Sequence, residues 1–116
     1  MPRCVIKPHP EKDEYVIWST VVDSPVSEIL TRKEAVREYP GGEESVARAD
    51  ETGASWADWR KEYWGTMKLI REISVGDEYF DGICQFEDIP DIIRAWTDGD
   101  AERLRELIKE NNNEWS

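Results

Sequence analysis

The sequence predicts an α+β fold in which two β-hairpins form one small antiparallel sheet, packed by four or five short helices and ending in a helical hairpin. Residues 15–22 are rich in β-branched and aromatic side chains, as is typical of strands. Most odd-numbered positions from Met67 to Val75 are apolar and alternate with polar residues, which indicates a half-buried strand. From Ile89 to Trp96 the apolar residues instead follow the spacing of an amphipathic helix.

The N-terminal part begins with the first of these hairpins and continues into a helix. Residues 23–25 are expected to form the turn, and residues 26–30 to return as the second strand. Thr31 and Glu34 have the spacing of a capping box, which starts a helix that runs to about Tyr39.

Residues 43–64 carry a weaker pattern. A helix is expected over residues 43–51, ended by Gly53. Trp56, Trp59 and Tyr63 then fall at helical spacing, but whether this stretch forms two helices or is partly irregular stays open.

The C-terminal part is predicted to combine the second hairpin with the helical hairpin. Residues 76–77 suit a type II′ turn, and residues 78–86 form the partner strand. Residues 98–100 end the first helix and cap the second. That second helix is expected to carry its apolar stripe as far as Ile108 and to end at residues 111–113.

Length and charge limit the classes of function. The 116 residues have room for a single domain, 1–116. There are 26 acidic and 15 basic side chains, a net charge of −11. This charge repels phosphate backbones and attracts basic proteins, so we expect a protein partner and no direct binding to nucleic acid.

Cellular location is inferred from the cysteines and from hydropathy. Cys4 and Cys84 lie far apart without metal-ligand spacing, and the sequence has no apolar stretch long enough for a signal peptide or a membrane helix. We therefore expect a cytoplasmic protein without a disulfide and without membrane contact.

The negative charge is concentrated between Asp77 and Asp100. Eight acids and one base in this window carry −7 of the −11. We expect the following residues to form an acidic face that steers a basic partner or mimics the charge of nucleic acid: Asp77, Glu78, Asp81, Glu87, Asp88 and Asp91.

A second feature is a group of aromatic and basic residues within nine positions, which we call the aromatic cluster. One helix face can bury three of its rings but not Trp64 as well, so part of this surface is expected to be exposed. Exposed Trp, Tyr and Arg side chains dominate binding hot spots. The predicted partner- or ligand-binding residues are Trp56, Trp59, Arg60, Tyr63 and Trp64.

The sequence gives no sign of catalysis or of a cofactor. His9, the one histidine, lies between two prolines in a predicted loop, whereas a general base must be held beside a nucleophile by a third group. No glycine-rich phosphate loop and no metal-ligand spacing is present. We therefore expect a protein that is not an enzyme and holds neither a metal nor a cofactor.

Two segments carry a resemblance to known proteins. Residues 15–25 (YVIWSTVVDSP) and residues 31–39 (TRKEAVREY), about a fifth of the chain, resemble small orphan proteins encoded by actinobacteria and their phages. The resemblance includes no catalytic motif. It implies a bacterial or phage accessory protein and no particular activity.

Two functional hypotheses follow. The preferred one is a non-catalytic acidic interaction protein that docks on a basic protein, a class that includes nucleic-acid-binding proteins, as an accessory protein or inhibitor, with a homodimer through the aromatic cluster left open. The alternative is a protein that binds or sequesters a small planar ligand such as a nucleotide. Its tryptophans would stack on the base, and Arg60, Lys61 or Arg71 would bind phosphate.

Overall fold

Three short strands near the N-terminus form the first of two antiparallel sheets. The computed structural model describes residues 3–110. The strand order is β1-β2-β3, with β1 at Arg3–Ile6, β2 at Val16–Ser19 and β3 at Ser24–Pro25.

The return strand of the first hairpin differs from the prediction over residues 26–30. Regular pairing with β2 is confined to the two residues of β3, and the chain meets the sheet again at an isolated bridge between Tyr15 and Leu30.

Three helices follow the first sheet: α1 at Arg32–Glu38, α2 at Gly42–Thr52 and α3 at Trp59–Tyr63. The predicted capping box is confirmed, because the Thr31 hydroxyl accepts from the Glu34 N–H and the Glu34 carboxylate accepts from the Thr31 N–H. Helix α2 ends at Gly53, whose φ is 92°. A Cβ at Gly53 would lie 3.0 Å from the backbone nitrogen of Arg60, so the absence of a side chain at Gly53 permits the close approach of α3.

The second sheet contains the predicted C-terminal β-hairpin. Its order is β4-β5-β6, with β4 at Met67–Val75, β5 at Glu78–Gln85 and β6 at Lys109–Glu110. The turn between β4 and β5 is at the predicted position, and the φ of Gly76 is 62°.

A bulge in β4 changes which of its residues face the core. Two residues, Arg71 and Glu72, oppose the single residue Asp81 of β5, and Glu72 has a φ of 65°. The extra residue shifts the alternation of side chains by one position, so even-numbered residues face the core before the bulge and odd-numbered residues face it after the bulge. Ile70 and Ile73, three positions apart, are therefore both fully buried.

This bulge makes the predicted alternation wrong in the first half of β4. Met67 is 45% exposed, and the inward position next to it belongs to Lys68, which pairs with the buried Cys84.

The helical hairpin follows β5 after a 3₁₀ turn at Phe86–Asp88. Helix α4 spans Ile89–Asp98 and α5 spans Ala101–Leu107, with Gly99 in the left-handed conformation between them. Ile108, predicted to belong to the helix, is extended and buried, because the chain turns there into β6. Residues 111–113, the predicted helix end, lie outside the described residues.

The α+β class with five helices and a terminal helical hairpin is thus confirmed, although the hairpins lie in two sheets instead of one. Both faces of the first sheet are buried: Cys4, Ile6 and Trp18 face the main core, whereas Val5 and Tyr15 face a smaller cluster beneath α1 and α2. The main core lies between the two sheets and the helical hairpin. Within residues 3–110, no helix is both long and apolar enough to cross a membrane.

Candidate functional site

The aromatic cluster is divided between the core and the surface. Trp59 is 1% exposed and belongs to the main core, whereas Trp56 is 63% exposed and Trp64 is 40% exposed. The Trp59 ring packs edge-on against Trp18 and Tyr63, with centroid distances of 5.9 and 5.3 Å. Trp59 is therefore a core residue, and Trp56 and Trp64 supply the exposed aromatic surface.

The short length of α3 explains this division. Asp58 caps the helix by accepting from the Lys61 N–H at 3.0 Å, so Trp56 precedes the helix and does not share its buried face. The Ser55 hydroxyl, just before Trp56, accepts from the Val5 N–H at 3.0 Å and so joins this loop to β1.

Arg60, predicted to bind a partner or a phosphate, is used within the fold. Its guanidinium donates to the carbonyl oxygens of Asp50 at 3.0 Å and of Lys7 at 3.2 Å, with further bonds to Ala49 and Glu51. The carbonyls of Asp50 and Glu51 belong to the last turn of α2, which leaves them without a partner inside the helix. The side chain joins α3 to α2 and to Lys7, the residue after β1, and its two terminal nitrogens are not available to a phosphate group.

Lys68 is a residue that the sequence did not single out. Its ammonium group lies over three aromatic rings, 4.7 Å from the centroids of Trp59 and Tyr63 and 5.8 Å from that of Trp18. An ammonium group over the face of an aromatic ring is attracted by the ring quadrupole. The aromatic rings thus accommodate a lysine at an inward position of β4.

An open groove of about 400 Å³ runs beside Trp64. It is lined by two carboxylate residues, two basic residues and two apolar rings: Glu51, Asp58, Arg60, Lys61, Pro10 and Trp64. The Trp64 ring also contacts His9 edge-on, with the centroids 5.7 Å apart.

The predicted acidic face forms two groups along β5. Asp77 and Glu78 lie at its first end and Asp81 is its fourth residue, whereas the three others follow its last residue. The eight residues of β5 extend over roughly 25 Å. The six carboxylates are therefore too far apart to bind the same small region of a partner.

The first acidic group lies beside the β4–β5 turn. Glu78 receives two hydrogen bonds from the Arg105 guanidinium, at 2.9 and 2.8 Å, and these bonds lower the pKa of Glu78. Asp77 and Asp81 are exposed.

The second acidic group consists of Glu87, Asp88 and Asp91, at the start of α4. Asp91 forms a salt bridge of 3.0 Å with Arg94. Burial raises the pKa of Asp88, and the carboxylates of Glu87 and Asp91 raise it further, while Arg103 and His9 act in the opposite direction. His9, which contacts the Trp64 ring, has the smallest of these effects on the pKa of Asp88.

A polar network around Asp50 holds α2 to the first sheet and α1. The Asp50 carboxylate accepts from the Tyr15 hydroxyl and, at 2.9 Å, from Arg32, whose guanidinium also forms two bonds with Glu43. Burial by itself would raise the pKa of Asp50, but these hydrogen bonds and the charges of Arg32 and Lys7 lower it. Because the partners satisfy one another, the network indicates a structural role.

The two cysteine thiols are the remaining side chains of chemical interest within the described residues. Cys4 and Cys84 are free and buried, and burial raises the pKa of each thiol to about 12. Across residues 3–110, no group of three or more His, Cys, Asp and Glu side chains is arranged to hold a metal ion.

Comparison with known proteins adds no family to this description. No protein-family model, no curated protein and no solved structure matches the chain.

Proposed function

We propose that this protein is a non-catalytic docking protein that binds a basic segment of another protein. The docking surface consists of Trp64, His9 and the second acidic group. One observation carries the proposal: the exposed Trp64 ring contacts His9 and borders a groove that is also lined by the carboxylate residues Glu51 and Asp58. Aromatic and acidic surface therefore adjoin.

The second acidic group attracts a cation because its negative charge is only partly compensated. The pKa of Asp88 is raised first by burial and then by the carboxylates of Glu87 and Asp91, so the charged form of Asp88 is disfavoured in the folded protein. A lysine or arginine side chain placed beside these three carboxylates would favour that charged form. The net charge of −11 also accelerates the encounter with a basic protein.

Trp64 supplies the anchor of the docking surface. Its exposed indole borders a groove that also contains the carboxylates of Glu51 and Asp58. An arginine or lysine side chain lying on the indole would gain cation–π attraction while its charge faces these carboxylates. Trp is also the residue type most enriched among binding hot spots.

The arrangement of Arg60 favours docking over nucleotide binding. Of the three cations that a nucleotide site on the aromatic cluster would use for the phosphate, Arg60 has its terminal nitrogens bonded to backbone carbonyls and Arg71 lies 4.0 Å from the Asp23 carboxylate, which leaves Lys61 in the groove beside Trp64. A basic partner needs no such cation. A nucleic-acid-binding protein is basic and therefore meets the charge requirement for a partner. In that case this protein would act as a phage or bacterial inhibitor of it.

The test uses a synthetic peptide of alternating lysine and glycine, titrated against the full chain at low and at high salt. We expect binding that weakens by at least tenfold as salt rises, because the attraction is between solvated charges. A peptide in which glutamate replaces lysine is expected not to bind.

Matched variants locate the binding surface. Trp64→Ala should weaken binding about tenfold, while Trp56→Ala, which removes another exposed indole, should not. The double variant Glu87→Gln/Asp88→Asn should weaken binding, and Glu28→Gln/Glu38→Gln, with the same change in net charge at other exposed positions, should have little effect. Equal effects of the two double variants, or no binding by the wild type, would overturn the proposal.

A further inference from the structure

The second sheet carries apolar side chains on the side that faces away from the main core. Ile70, Phe80 and Cys84 point into that core, so the alternation of side chains directs their neighbours outward. We refer to this outward side of β4 and β5 as the outer face. Leu69 and Ile83 pair with each other on it. Both are half-buried, and among the described residues neither packs against the main core or the smaller cluster.

Exposed apolar surface continues from this pair in both directions along the sheet. Met67, the outward residue before Leu69, is exposed. Tyr79, near the β4–β5 turn, is 74% exposed, more than any other large apolar or aromatic side chain that the structure describes. Apolar surface of this kind, outside the core and open to solvent, marks an interaction site.

The charges of the outer face cancel, unlike those of the whole chain. Arg71 and Glu72 of β4 lie opposite Asp81 of β5, and Lys109 of β6 pairs with Ile83. All four charged residues are exposed. Two are basic and two are acidic, so their formal charges sum to zero, whereas the chain carries −11. The outer face therefore does not select a basic partner, and it does not repel a second acidic copy of the chain.

Two outer faces are complementary about a twofold axis that runs along the strands between β4 and β5. This axis places β4 of one copy over β5 of the second copy, with paired positions at the same height. Leu69 then contacts Ile83 of the second copy, and Arg71 lies over Asp81 of the second copy. The symmetry repeats each contact, as in an isologous dimer. Sheets packed in this way lie about 10 Å apart with nearly aligned strands.

We propose that this protein forms a weak homodimer through the outer faces of two copies. The nine residues of β4 extend over roughly 30 Å, and three adjacent strands cover a width of roughly 15 Å. This area is smaller than the roughly 800 Å² per partner of a standard interface, so the dimer forms only at high protein concentration. The inference uses no residue of the proposed docking surface and adds a second copy of the chain as a partner.

Sedimentation equilibrium of the full chain over a range of protein and salt concentrations tests the proposal. We expect a monomer–dimer equilibrium that strengthens several-fold as salt rises, because salt screens the repulsion between two copies of charge −11. Binding of a basic partner has the opposite salt dependence. A chain that stays monomeric up to millimolar concentration, or a dimer that weakens as salt rises, would overturn the proposal.

A matched pair of variants locates the interface. Leu69→Thr/Ile83→Thr should weaken the dimer about tenfold or more, because the apolar contacts across the twofold axis are lost. Threonine keeps the strand propensity of both positions, and circular dichroism checks that the variant folds. Val21→Thr/Val26→Thr removes two other exposed aliphatic side chains and should leave the dimer within about twofold of the wild type. Equal effects of the two double variants would contradict the outer-face interface.

Charge reversal across the twofold axis is the decisive test. Arg71→Glu and Asp81→Lys should each weaken the dimer about tenfold, because like charges then meet in both symmetry-related contacts. A mixture of the two variants should associate to within about threefold of the wild type, since opposite charges again face each other in both contacts. Mixing repairs no contact within a single copy, so a folding defect does not explain such a recovery. A mixture that associates no better than either variant alone would overturn the proposal.

Other modes of association give different results. A dimer weakened by Trp56→Ala or Trp64→Ala, but not by Leu69→Thr/Ile83→Thr, would place the interface at the aromatic cluster and overturn the proposal. A monomer whose binding of the lysine–glycine peptide is weakened by Leu69→Thr/Ile83→Thr would assign the outer face to the basic partner. That result would overturn the dimer and leave the proposed function standing.

Discussion

The ammonium group of Lys68 lies 4.7 Å from the centroid of the Trp59 ring, and this contact joins the second sheet to α3. Lys68 occupies an inward position of β4 opposite the buried Cys84. A lysine at such a position would be costly without compensation. Three aromatic rings supply that compensation within the fold.

The first prediction concerns the coupling between Lys68 and Tyr63. In a double-mutant cycle with Lys68→Met and Tyr63→Leu, we expect the free energies of unfolding to show a coupling of about 0.5–1 kcal/mol, because each change removes the same cation–π contact. Urea unfolding measures the four proteins. Lys33→Met, an exposed lysine on α1, serves as the control and should show no coupling to Tyr63→Leu. A coupling near zero for Lys68 would contradict the assignment.

The second prediction concerns Arg60. Arg60→Met should lower the free energy of unfolding by about 2 kcal/mol or more, because several carbonyls at the end of α2 lose a charged donor. Lys61→Met, next to it and exposed, should change stability by less than about 0.5 kcal/mol. Chemical denaturation followed by circular dichroism checks both variants. Equal stability of the two would show that the carbonyl contacts contribute little.

The third prediction concerns pH and Asp88. The folded protein raises the pKa of this carboxyl above its ordinary value of 3.8, so the folded state binds the proton more tightly than the unfolded state. Stability attributable to Asp88 is therefore present at low pH and is lost as pH rises through the window above 3.8. Asp88→Asn should stabilise the protein at pH 7 by a few tenths of a kcal/mol, since solvent screens the partly exposed group.

The pH dependence separates this effect from others. The gain from Asp88→Asn should vanish near pH 3, where the native carboxyl is itself neutral. The Asp88 side chain makes no capping hydrogen bond to α4, so the amide does not remove a cap. Thermal unfolding at the two pH values measures the difference, and a stabilisation that is the same at both would argue against an electrostatic origin.

The fourth prediction concerns the bulge in β4. Glu72 has a φ of 65°, a conformation that costs about 1 kcal/mol for a residue with a Cβ. Glu72→Gly should therefore raise the free energy of unfolding relative to Glu72→Ala by up to about 1 kcal/mol. Equilibrium urea unfolding compares the two variants. A glycine variant less stable than the alanine variant would mean that the left-handed conformation is not strained.

Local sequence signals determined most of the secondary structure. The capping box at Thr31, the turn at Gly76 and the left-handed residue at Gly99 act on neighbouring residues alone, so their positions could be predicted from the chain. The spacing of apolar residues in α4 likewise reflects only the period of the helix.

The tertiary structure decided the properties that depend on distant residues. The same aromatic residue type is buried at Trp59 and exposed at Trp56, because α3 begins only at Trp59 and packs there against Trp18 of β2. Arg60 looks like a surface ligand in the sequence, yet it bonds to carbonyls of α2 and of Lys7, the residue after β1. The division of the acidic face into two groups follows from the extended length of β5. The spacing of apolar residues and the capping residues determine where helices and strands form. Burial, charge pairing and the separation of residues on the surface depend on which helices and strands pack together.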